Sequence, residues 1–339
     1  MPLPTVLASS LIVLITVGVG SGCAAPGPDG SAAPVPLSTP DPSRSPSEVA
    51  STSASPVPAR LPPAALVHSL SPATDPRSPH RTGSGSGSAG SGSAGTGTAG
   101  SGSAPGHFRT LRPGSALPSG AQCAAWVRAT RSAENKRMNA AANRTTGQRL
   151  GAGFFPAADD PRANTRIASR VDGAFTGSTR QVLRWTACKW GIDEDVVYAQ
   201  AAVESWWRQT TKGDYHTDPT RCPPGHPLGA DGQPGTCPQS YGILQNRYPY
   251  ERSAWPGAER STAMNADTAY AVWRACFEGY ERWLNTVEHG GPYAAGDLWG
   301  CVGRWFSGRW HLARSESYIA HVQGTLSQRI WQTADFQEP

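Results

Sequence analysis

The first 107 residues of the chain contain no Phe, Trp or Tyr and only a single cysteine, Cys23. Residues 24–106 contain no Phe, Trp, Tyr or Cys, and all 12 Trp of the 339-residue chain lie after residue 120. A segment rich in Ser, Pro, Gly and Ala buries too little apolar surface to offset the entropy lost when its backbone is ordered. We therefore predict a disordered linker over 23–106 and one folded domain over 107–339, which a single hydrophobic core can support.

The chain also lacks a basic run interleaved with aromatic residues. Its net charge of +5 is mild. This balance does not favour a nucleic-acid partner, although it is compatible with an anionic wall polymer or a lipid headgroup. Ordinary solvation of the surface explains most of the charge.

The N-terminus has no apolar run long enough for a comfortable membrane span, which needs roughly 20 residues. Val6–Val19 is mostly apolar and fits the core of a secretory signal. The sequence GSGC that ends at Cys23 resembles the bacterial lipobox, in which the cysteine is lipid-modified. We predict a signal peptide over 1–22, export, and a lipid anchor to the cell membrane at Cys23. The alternative is plain secretion after cleavage near Ala24 or Ala25.

The cysteines contain no CxxC pair, which argues against a zinc site. Seven are present, and setting Cys23 aside leaves an even set that indicates disulfides in an exported chain. The short separation between Cys222 and Cys237 favours that pair, because it closes one Pro/Gly-rich loop. Proximity in sequence then favours the pairs Cys123–Cys188 and Cys276–Cys301.

The folded part shows no run of alternating strand pattern, and its caps and spacing predict a mainly α domain. Residues 177–179, which read GST, are predicted to contain the N-cap of one helix, and Asp193 is the predicted N-cap of the next. Ser315 and either Asn265 or Asp267 are predicted to cap two later ones. The predicted helices cover residues 180–190, 194–211, 268–287 and 316–331, with shorter ones near 123–131 and 297–306.

Glu204 lies on the predicted helix 194–211, at the edge of its apolar face. Val197, Ala201 and Glu204 follow one another at spacings of four and three residues, so they share one side of the helix. A carboxyl group beside a buried stripe loses hydration, which raises its pKa. A proton retained near neutral pH is what a general acid needs, although a glutamate in such a position is more often a structural hydrogen-bond partner.

Short motifs around Glu204 resemble those of a known family. Residues 201–205 read AAVES and residues 240–245 read SYGILQ. This pairing resembles the AxxES and SxGxxQ motifs of lytic transglycosylases and related lysozyme-fold muramidases. Tyr318 begins a match to a later tyrosine element, and RWFSG at 304–308 stands where the family has Tyr-Asn-Ala-Gly, without its asparagine. The resemblance covers residues 178–332.

The resemblance implies a lysozyme-like catalytic domain that cleaves the β-1,4 bond between MurNAc and GlcNAc in peptidoglycan strands. In that family one glutamate, here Glu204, is both acid and base, and the 6-hydroxyl of the muramoyl sugar attacks to give a 1,6-anhydro product. A tyrosine, here Tyr318, steadies the glutamate. The resemblance implies a monomer that needs no metal and no cofactor. The implied substrate contacts are Ser240, Tyr241, Gln245, Trp305 and Tyr318.

Two alternatives stay open. A hydrolase would need a second carboxylate, and Asp214, Asp218 and Asp231 are candidates in the Gly/Pro-rich segment 212–239, where aspartate is more often a turn-former. His216 together with Asp214 and Asp218 could imitate a metal cluster, but no ligand pair stands at helical spacing. The other alternative is a wall-binding lipoprotein without activity.

Aromatic residues are dense around the motifs, where their faces could stack on sugar rings. For each one alone, a place in the core is the more common role. The residues predicted near the cleft are Trp206, Trp207, Tyr241, Tyr248, Tyr250, Trp255, Trp305 and Trp310.

Overall fold

The computed structural model of the protein describes residues 105–338. The predicted signal peptide 1–22, the lipidation site Cys23 and the linker as far as residue 104 lie outside the described residues. Within residues 105–338, no helix combines the length and the apolar character that crossing a membrane requires.

The described part of the chain is mainly helical, which confirms the predicted class. A π-helical turn at Ala163–Ile167 and several 3₁₀ turns connect the longer elements. The α-helices between residues 105 and 338 are α1 (Gly120–Arg128), α2 (Thr179–Trp190), α3 (Glu194–Ser205), α4 (Gly257–Arg260), α5 (Thr262–Phe277), α6 (Leu298–Ser307) and α7 (Ala313–Gln328).

Helix α5 forms the centre of the domain. All its residues are buried, and α2, α4 and α6 pack against it. Helix α3 packs against α2 and α7, and α7 also packs against α6. A helix without an exposed face has to be surrounded by other elements. In this arrangement α3 is connected to α5 mainly through α2, and it packs directly on α2 and α7.

Helix α5 begins earlier than predicted. Ser261 is its N-cap, so Asn265 and Asp267 lie inside the helix and the prediction that one of them caps it is wrong. Both are fully buried and bind neighbouring loops: Asn265 accepts from Leu244 N at 2.9 Å, and Asp267 accepts from Gly173 N at 2.9 Å. These two polar residues, which precede an apolar run in the sequence, therefore make tertiary contacts and do not cap the helix.

Three of the longer helices end before their predicted ends, and one of them, α7, ends at Gln328 instead of residue 331. Helix α3 stops at Ser205 because Trp206 and Trp207 adopt positive φ angles of 57° and 60°, which no α-helix can continue. The helix predicted over 268–287 ends at Phe277. Because α3 ends early, Glu204 lies at the C-terminal end of the helix, shortly before Trp206 and Trp207, where the chain changes direction.

Helix α7 begins before its predicted cap. It starts at Ala313 with Leu312 at the N-cap position. Ser315 is buried in the first turn, and its hydroxyl lies 2.7 Å from that of Ser307. The prediction of Ser315 as the cap is wrong, because this serine joins α6 to α7 instead.

A small antiparallel sheet lies between α3 and α4 in the chain. Strand β1 (Lys212–Gly213) pairs with β2 (Ser240–Tyr241), and β2 pairs with β3 (Asn246–Arg247). None of these strands was predicted, because a two-residue strand is too short to show alternation. The loop between β1 and β2 contains most of the Gly/Pro-rich segment 212–239.

Three disulfides join the cysteines of the domain, in the pairs favoured by the sequence analysis. Their members are Cys123–Cys188, Cys222–Cys237 and Cys276–Cys301. The first ties α1 to α2, the second closes the loop between β1 and β2, and the third ties α5 to α6. The irregular loop is thus closed on itself close to the sheet.

Candidate active site

A cleft of about 850 Å³ opens beside the C-terminal end of α3. Its walls come from the sheet, from α6 and from the loops at residues 154–156 and 249–251. A cleft of this size can take a bulky ligand. The charged and aromatic residues along it are Phe154, Phe155, Glu204, Asp214, Arg247, Tyr250, Glu251, Glu281, Trp283, Arg304, Trp305, Phe306, Arg309 and Arg314.

Glu204 lies in the last turn of α3, half-buried, with its side chain on the cleft. Burial raises the pKa of Glu204 to about 7, against the lowering effect of hydrogen bonds from Tyr318 and Trp305, and nearby Asp214 also raises it. Glu204 is therefore protonated in a large fraction of the molecules at neutral pH. This is the protonation state that a general acid requires.

Tyr318 binds the Glu204 carboxyl group through a hydrogen bond. Its hydroxyl donates a hydrogen bond to Glu204 Oε1. The Tyr318 side chain is only 7% exposed, because Phe306 stacks on it with 4.7 Å between ring centres. The expected role in steadying the glutamate fits this geometry. The expected substrate contact does not, because Phe306 covers the ring.

The SYGILQ segment places its first and last residues in the cleft and its middle residues in the core. Ser240 and Gln245 line the cleft. Successive residues of a strand point to opposite faces, so Tyr241 faces inward, where it packs against His226 and Trp255 at 5.1 and 5.6 Å between ring centres. The interpretation of Tyr241 as a substrate contact is corrected to that of a core residue.

The turn after β2 requires a glycine. Gly242 has a φ of 82°, and a Cβ there would lie 2.3 Å from Asn265 Nδ2. The Gln245 side-chain nitrogen closes the turn by donating to Gly242 O at 2.8 Å and to Thr211 O at 3.2 Å. Only Oε1 of Gln245 is left for a ligand.

A hydrogen bond joins the two motifs. Ser205, which follows Glu204, donates from its hydroxyl to Ile243 O at 2.8 Å. Gln209 Oε1 accepts from Ile243 N at 3.1 Å. Both bonds are buried, so they fix the SYGILQ turn next to the glutamate. This accounts for a serine directly after Glu204.

Asp214 is the second carboxyl group near Glu204. It lies after β1 with a φ of 52°, and its side chain is 52% exposed. It accepts a hydrogen bond from the Ser240 hydroxyl, and Arg247 Nε lies 3.7 Å away. These partners hold the Asp214 carboxylate against the protein, close enough to raise the pKa of Glu204.

Helix α6 supplies aromatic surface to the cleft. Trp305 donates from Nε1 to Leu244 O at 3.1 Å, and its indole also reaches Glu204. Phe306 is 55% exposed, and Tyr250, from the loop after β3, is 64% exposed. Exposed aromatic rings along a cleft provide flat surfaces on which a sugar ring can stack.

A buried charged group that no sequence motif indicates lies in the same cleft. Arg304 Nη2 donates to Glu281 Oε1 at 2.6 Å, and Glu251 Oε2 accepts from Arg247 N at 2.7 Å. Burial raises the pKa of both Glu251 and Glu281 to about 7. Both are buried more deeply than Glu204 and bound to protein groups, so Glu204 is the better placed of the three to meet a ligand.

Most aromatic residues predicted near the cleft belong to the core instead. Tyr250 and Trp305 line the cleft. The others pack within the core or against it: Trp206, Trp207, Tyr241, Tyr248, Trp255 and Trp310.

The remaining carboxylates of the irregular segment have structural partners. Asp218 caps the 3₁₀ turn that follows it, and its backbone N–H donates to His216 Nδ1 at 2.9 Å. Asp231 pairs with Lys212, and it lies 3.0 Å from His226 Nδ1. Neither aspartate lines the cleft, which leaves Asp214 as the candidate for a second acid.

One group of side chains in residues 105–338 has the spacing of a metal site, and it lies at the other end of α3. It consists of His107, Asp193 and Asp195. These residues are already paired, since His107 Nε2 lies 3.0 Å from Asp193 and Asp195 binds Arg329. The cleft around Glu204 is separate from this group.

No protein-family model, curated protein or solved structure matches the chain.

Proposed function

We propose that the domain is a lysozyme-like enzyme that cleaves the MurNAc–GlcNAc β-1,4 bond of peptidoglycan, as a lytic transglycosylase with Glu204 as its only acid and base. The observation that carries this proposal is the state of Glu204. It lines the cleft, burial raises its pKa to about 7, and Tyr318 binds one of its two oxygens. The resemblance of AAVES and SYGILQ to the family motifs supports the same reaction.

One carboxyl group suffices for both steps of this reaction. Protonated Glu204 donates its proton to the glycosidic oxygen as the bond from that oxygen to C1 of the muramoyl sugar breaks. The Glu204 carboxylate then takes the proton of the 6-hydroxyl as O6 bonds to C1. The products are a free GlcNAc 4-hydroxyl and a 1,6-anhydro end, and Glu204 is protonated again.

The aromatic and polar side chains along the cleft also suit a glycan strand. Phe306 and Tyr250 present exposed rings in a cleft that Glu204 shares. Aromatic faces bury the apolar side of a sugar ring while leaving its hydroxyl groups to polar neighbours. Ser240 and the free Oε1 of Gln245 are such neighbours.

Export belongs to the same proposal, because the substrate lies outside the membrane. The three disulfides fit an oxidising compartment. A signal peptide over 1–22 and a lipid anchor at Cys23 would hold the enzyme at the cell membrane, while cleavage near Ala24 or Ala25 would release it.

A hydrolase is the second candidate, and Asp214 is the observation that favours it. Asp214 lies in the same cleft and close enough to Glu204 to raise its pKa. A hydrolase would use such a carboxylate to activate water. The Ser240 hydroxyl and Arg247, which already bind Asp214, make it less suited to that role.

Mass spectrometry of the products distinguishes these functions. The purified protein is incubated with peptidoglycan sacculi, and the soluble muropeptides are analysed. We expect 1,6-anhydro ends. Reducing MurNAc ends would contradict the transglycosylase and support the hydrolase. Protein that binds sacculi without releasing muropeptides would contradict both and support a wall-binding role.

Cleavage is expected to fall as the pH rises through about 7. Glu204 must carry its proton before it can donate it, and burial raises its pKa to about 7. The acid form dominates below this pH and is lost above it, so the rate should fall roughly tenfold for each further pH unit. The measurement is kcat/KM from about pH 5 to about pH 9.

Glu251 and Glu281 need separate tests, because burial raises their pKa to about 7 as well. If the alkaline fall belongs to Glu204, it persists in Glu251→Gln and in Glu281→Gln even where their rates are lower. A rate that stays level across the range, or a fall that disappears in either variant, would contradict the assignment.

A further inference from the structure

A chain of buried polar side chains runs behind Glu204 and joins three helices. Tyr270 from α5 and Gln200 from α3 are 1% and 2% exposed. The Tyr270 hydroxyl donates to Gln200 Oε1 at 2.9 Å. The other end of the Gln200 amide lies beside the Tyr318 hydroxyl and has a lowering effect on the pKa of Tyr318, as a donor would. Tyr318 donates to Glu204 Oε1. Four polar groups are thus linked in one line that ends on the carboxyl group.

The direction of this chain is set at its far end. Gln200 is the one acceptor for the Tyr270 hydroxyl among the hydrogen bonds of residues 105–338. If the Gln200 amide turned over, its NH₂ would face Tyr270, and the Tyr270 hydrogen would have no acceptor. A buried O–H without a partner is costly. The Gln200 oxygen therefore faces Tyr270, and its NH₂ faces Tyr318.

The orientation of Gln200 determines what Tyr318 can do. An NH₂ group donates and does not accept, so the single Tyr318 hydroxyl hydrogen cannot point at Gln200. It points at Glu204 Oε1. In a neutral carboxylic acid the oxygen that accepts such a bond is the carbonyl oxygen, and the other oxygen carries the hydrogen.

We propose that Tyr270 and Gln200 are positioning residues that act through Tyr318 to place the transferable proton of Glu204 on Oε2, the oxygen left for the cleft. This inference rests on the proposed function, in which that proton goes to the glycosidic oxygen. With the chain reversed, Tyr318 would donate to Gln200, and the proton of Glu204 would sit on Oε1 and point away from the substrate.

Tyr270→Phe tests the proposal. Without the Tyr270 hydroxyl the Gln200 amide can turn over, so Tyr318 donates to Glu204 for only part of the time. We expect kcat to fall about three- to tenfold with KM unchanged. The loss of a hydrogen bond to the charged carboxylate also raises the pKa of Glu204, so the alkaline fall in activity moves to higher pH.

A direct measurement is the titration of Glu204 by NMR in protein labelled with ¹³C at the glutamate side chains. The charged and polar groups that face Glu204 are Asp214, Trp305, Tyr318 and, from further away, Tyr270. All except Tyr270 are unchanged in Tyr270→Phe. A rise in the midpoint of Glu204 therefore reports on the chain, and a purely structural role for Tyr270 would not move it.

Two comparisons sharpen the test. Tyr198→Phe is the matched control, since Tyr198 is a buried tyrosine in the first half of α3 whose ring packs against Trp207 and Trp331. Its variant should titrate as the original protein does. Tyr270→Phe added to Tyr318→Phe should cause no further loss of kcat, because both act through one hydrogen bond.

Failure of this proposal and failure of the proposed function give different results. An unchanged Glu204 titration in Tyr270→Phe, or an additional loss of kcat in the double variant, overturns the positioning role. If Tyr270→Phe does not fold, Gln200→Met is the second variant. It leaves Glu204 as the acceptor for the Tyr318 hydroxyl, so the midpoint of Glu204 should not rise, and a rise would overturn the positioning role. A shifted titration in a protein that releases no muropeptides would uphold the chain and contradict the enzyme.

Discussion

Replacing Glu204 with glutamine is expected to reduce the release of soluble muropeptides about 10³-fold. Glutamine keeps the shape of the side chain and an oxygen that can accept from Tyr318, but it has no acidic proton. In a reaction with one acid and base, both bond cleavage and the attack of the 6-hydroxyl lose their catalyst. The measurement is the initial rate of muropeptide release from sacculi near pH 6 to 7, roughly where Glu204 is protonated.

The effect has to be separated from damage to the fold. Glu288→Gln is a suitable control, because Glu288 is exposed, and this variant should keep full activity. Glu204→Gln should unfold at the temperature of the original protein or above it, because it removes a partly buried acid. A variant that stays folded and keeps more than about a tenth of the rate would contradict the role of Glu204.

Asp214→Asn provides the comparison between the two chemistries. In a transglycosylase, Asp214 affects the rate only by raising the pKa of Glu204, so the loss stays within about tenfold. In a hydrolase, Asp214 would be the base that activates water, and its loss would rival that of Glu204. Equal losses in the two variants would therefore favour the hydrolase, whatever their absolute size.

Local patterns were enough to find Glu204 and its immediate neighbours. Glu204, Ser240, Gln245 and Trp305 all line the cleft, and each was identified from a short motif. Tyr241 was misplaced for a simple reason: the motif names two adjacent residues of a strand, and only one of them can face the cleft. The motif alone, without the position of the strand, does not show whether Ser240 or Tyr241 faces the cleft.

The charged group under the cleft could not be found in this way. Glu251, Glu281 and Arg304 come from a loop, a 3₁₀ connection and α6, and no spacing in sequence links them. The third disulfide joins α5 to α6 close in sequence to Glu281 and Arg304. The raised pKa values of Glu251 and Glu281 come from burial, and burial of a glutamate outside a regular helix leaves no periodic signal.

The same limit explains the boundaries of the central helix. Helices α2 and α3 have ordinary caps at Ser178 and Asp193. The first lies within the predicted capping segment 177–179, and the second is the predicted residue. The start of α5 was not predicted, because Asn265 and Asp267 resemble caps but serve the loops around the helix. Their partners lie far away in sequence, so a local pattern assigns them the wrong role.

Asp267→Ala is expected to destabilise the domain by about 4 kcal/mol. The Asp267 carboxylate is fully buried and accepts from the backbone N–H of Asp172 and Gly173 at 2.9 Å each, from Lys189 Nζ at 2.7 Å and from Trp190 Nε1 at 2.8 Å. Removing it leaves the buried ammonium group with a half-exposed partner and two backbone donors with none. Thermal unfolding should shift downward by roughly 10 °C for a domain of this size.

We attribute the loss of stability to the Lys189 ammonium group, which is buried without its main partner when Asp267 is removed. A second substitution tests this. Lys189→Met in the Asp267→Ala background removes the unpaired ammonium group, so it should recover part of the stability, as replacing a whole buried ion pair often does. Asp172→Asn changes the half-exposed partner of Lys189 and should cost less than about 1 kcal/mol. If Asp267→Ala unfolds within about 2 °C of the original protein, the carboxylate is not what holds the loop at Asp172 and helix α2 against the central helix.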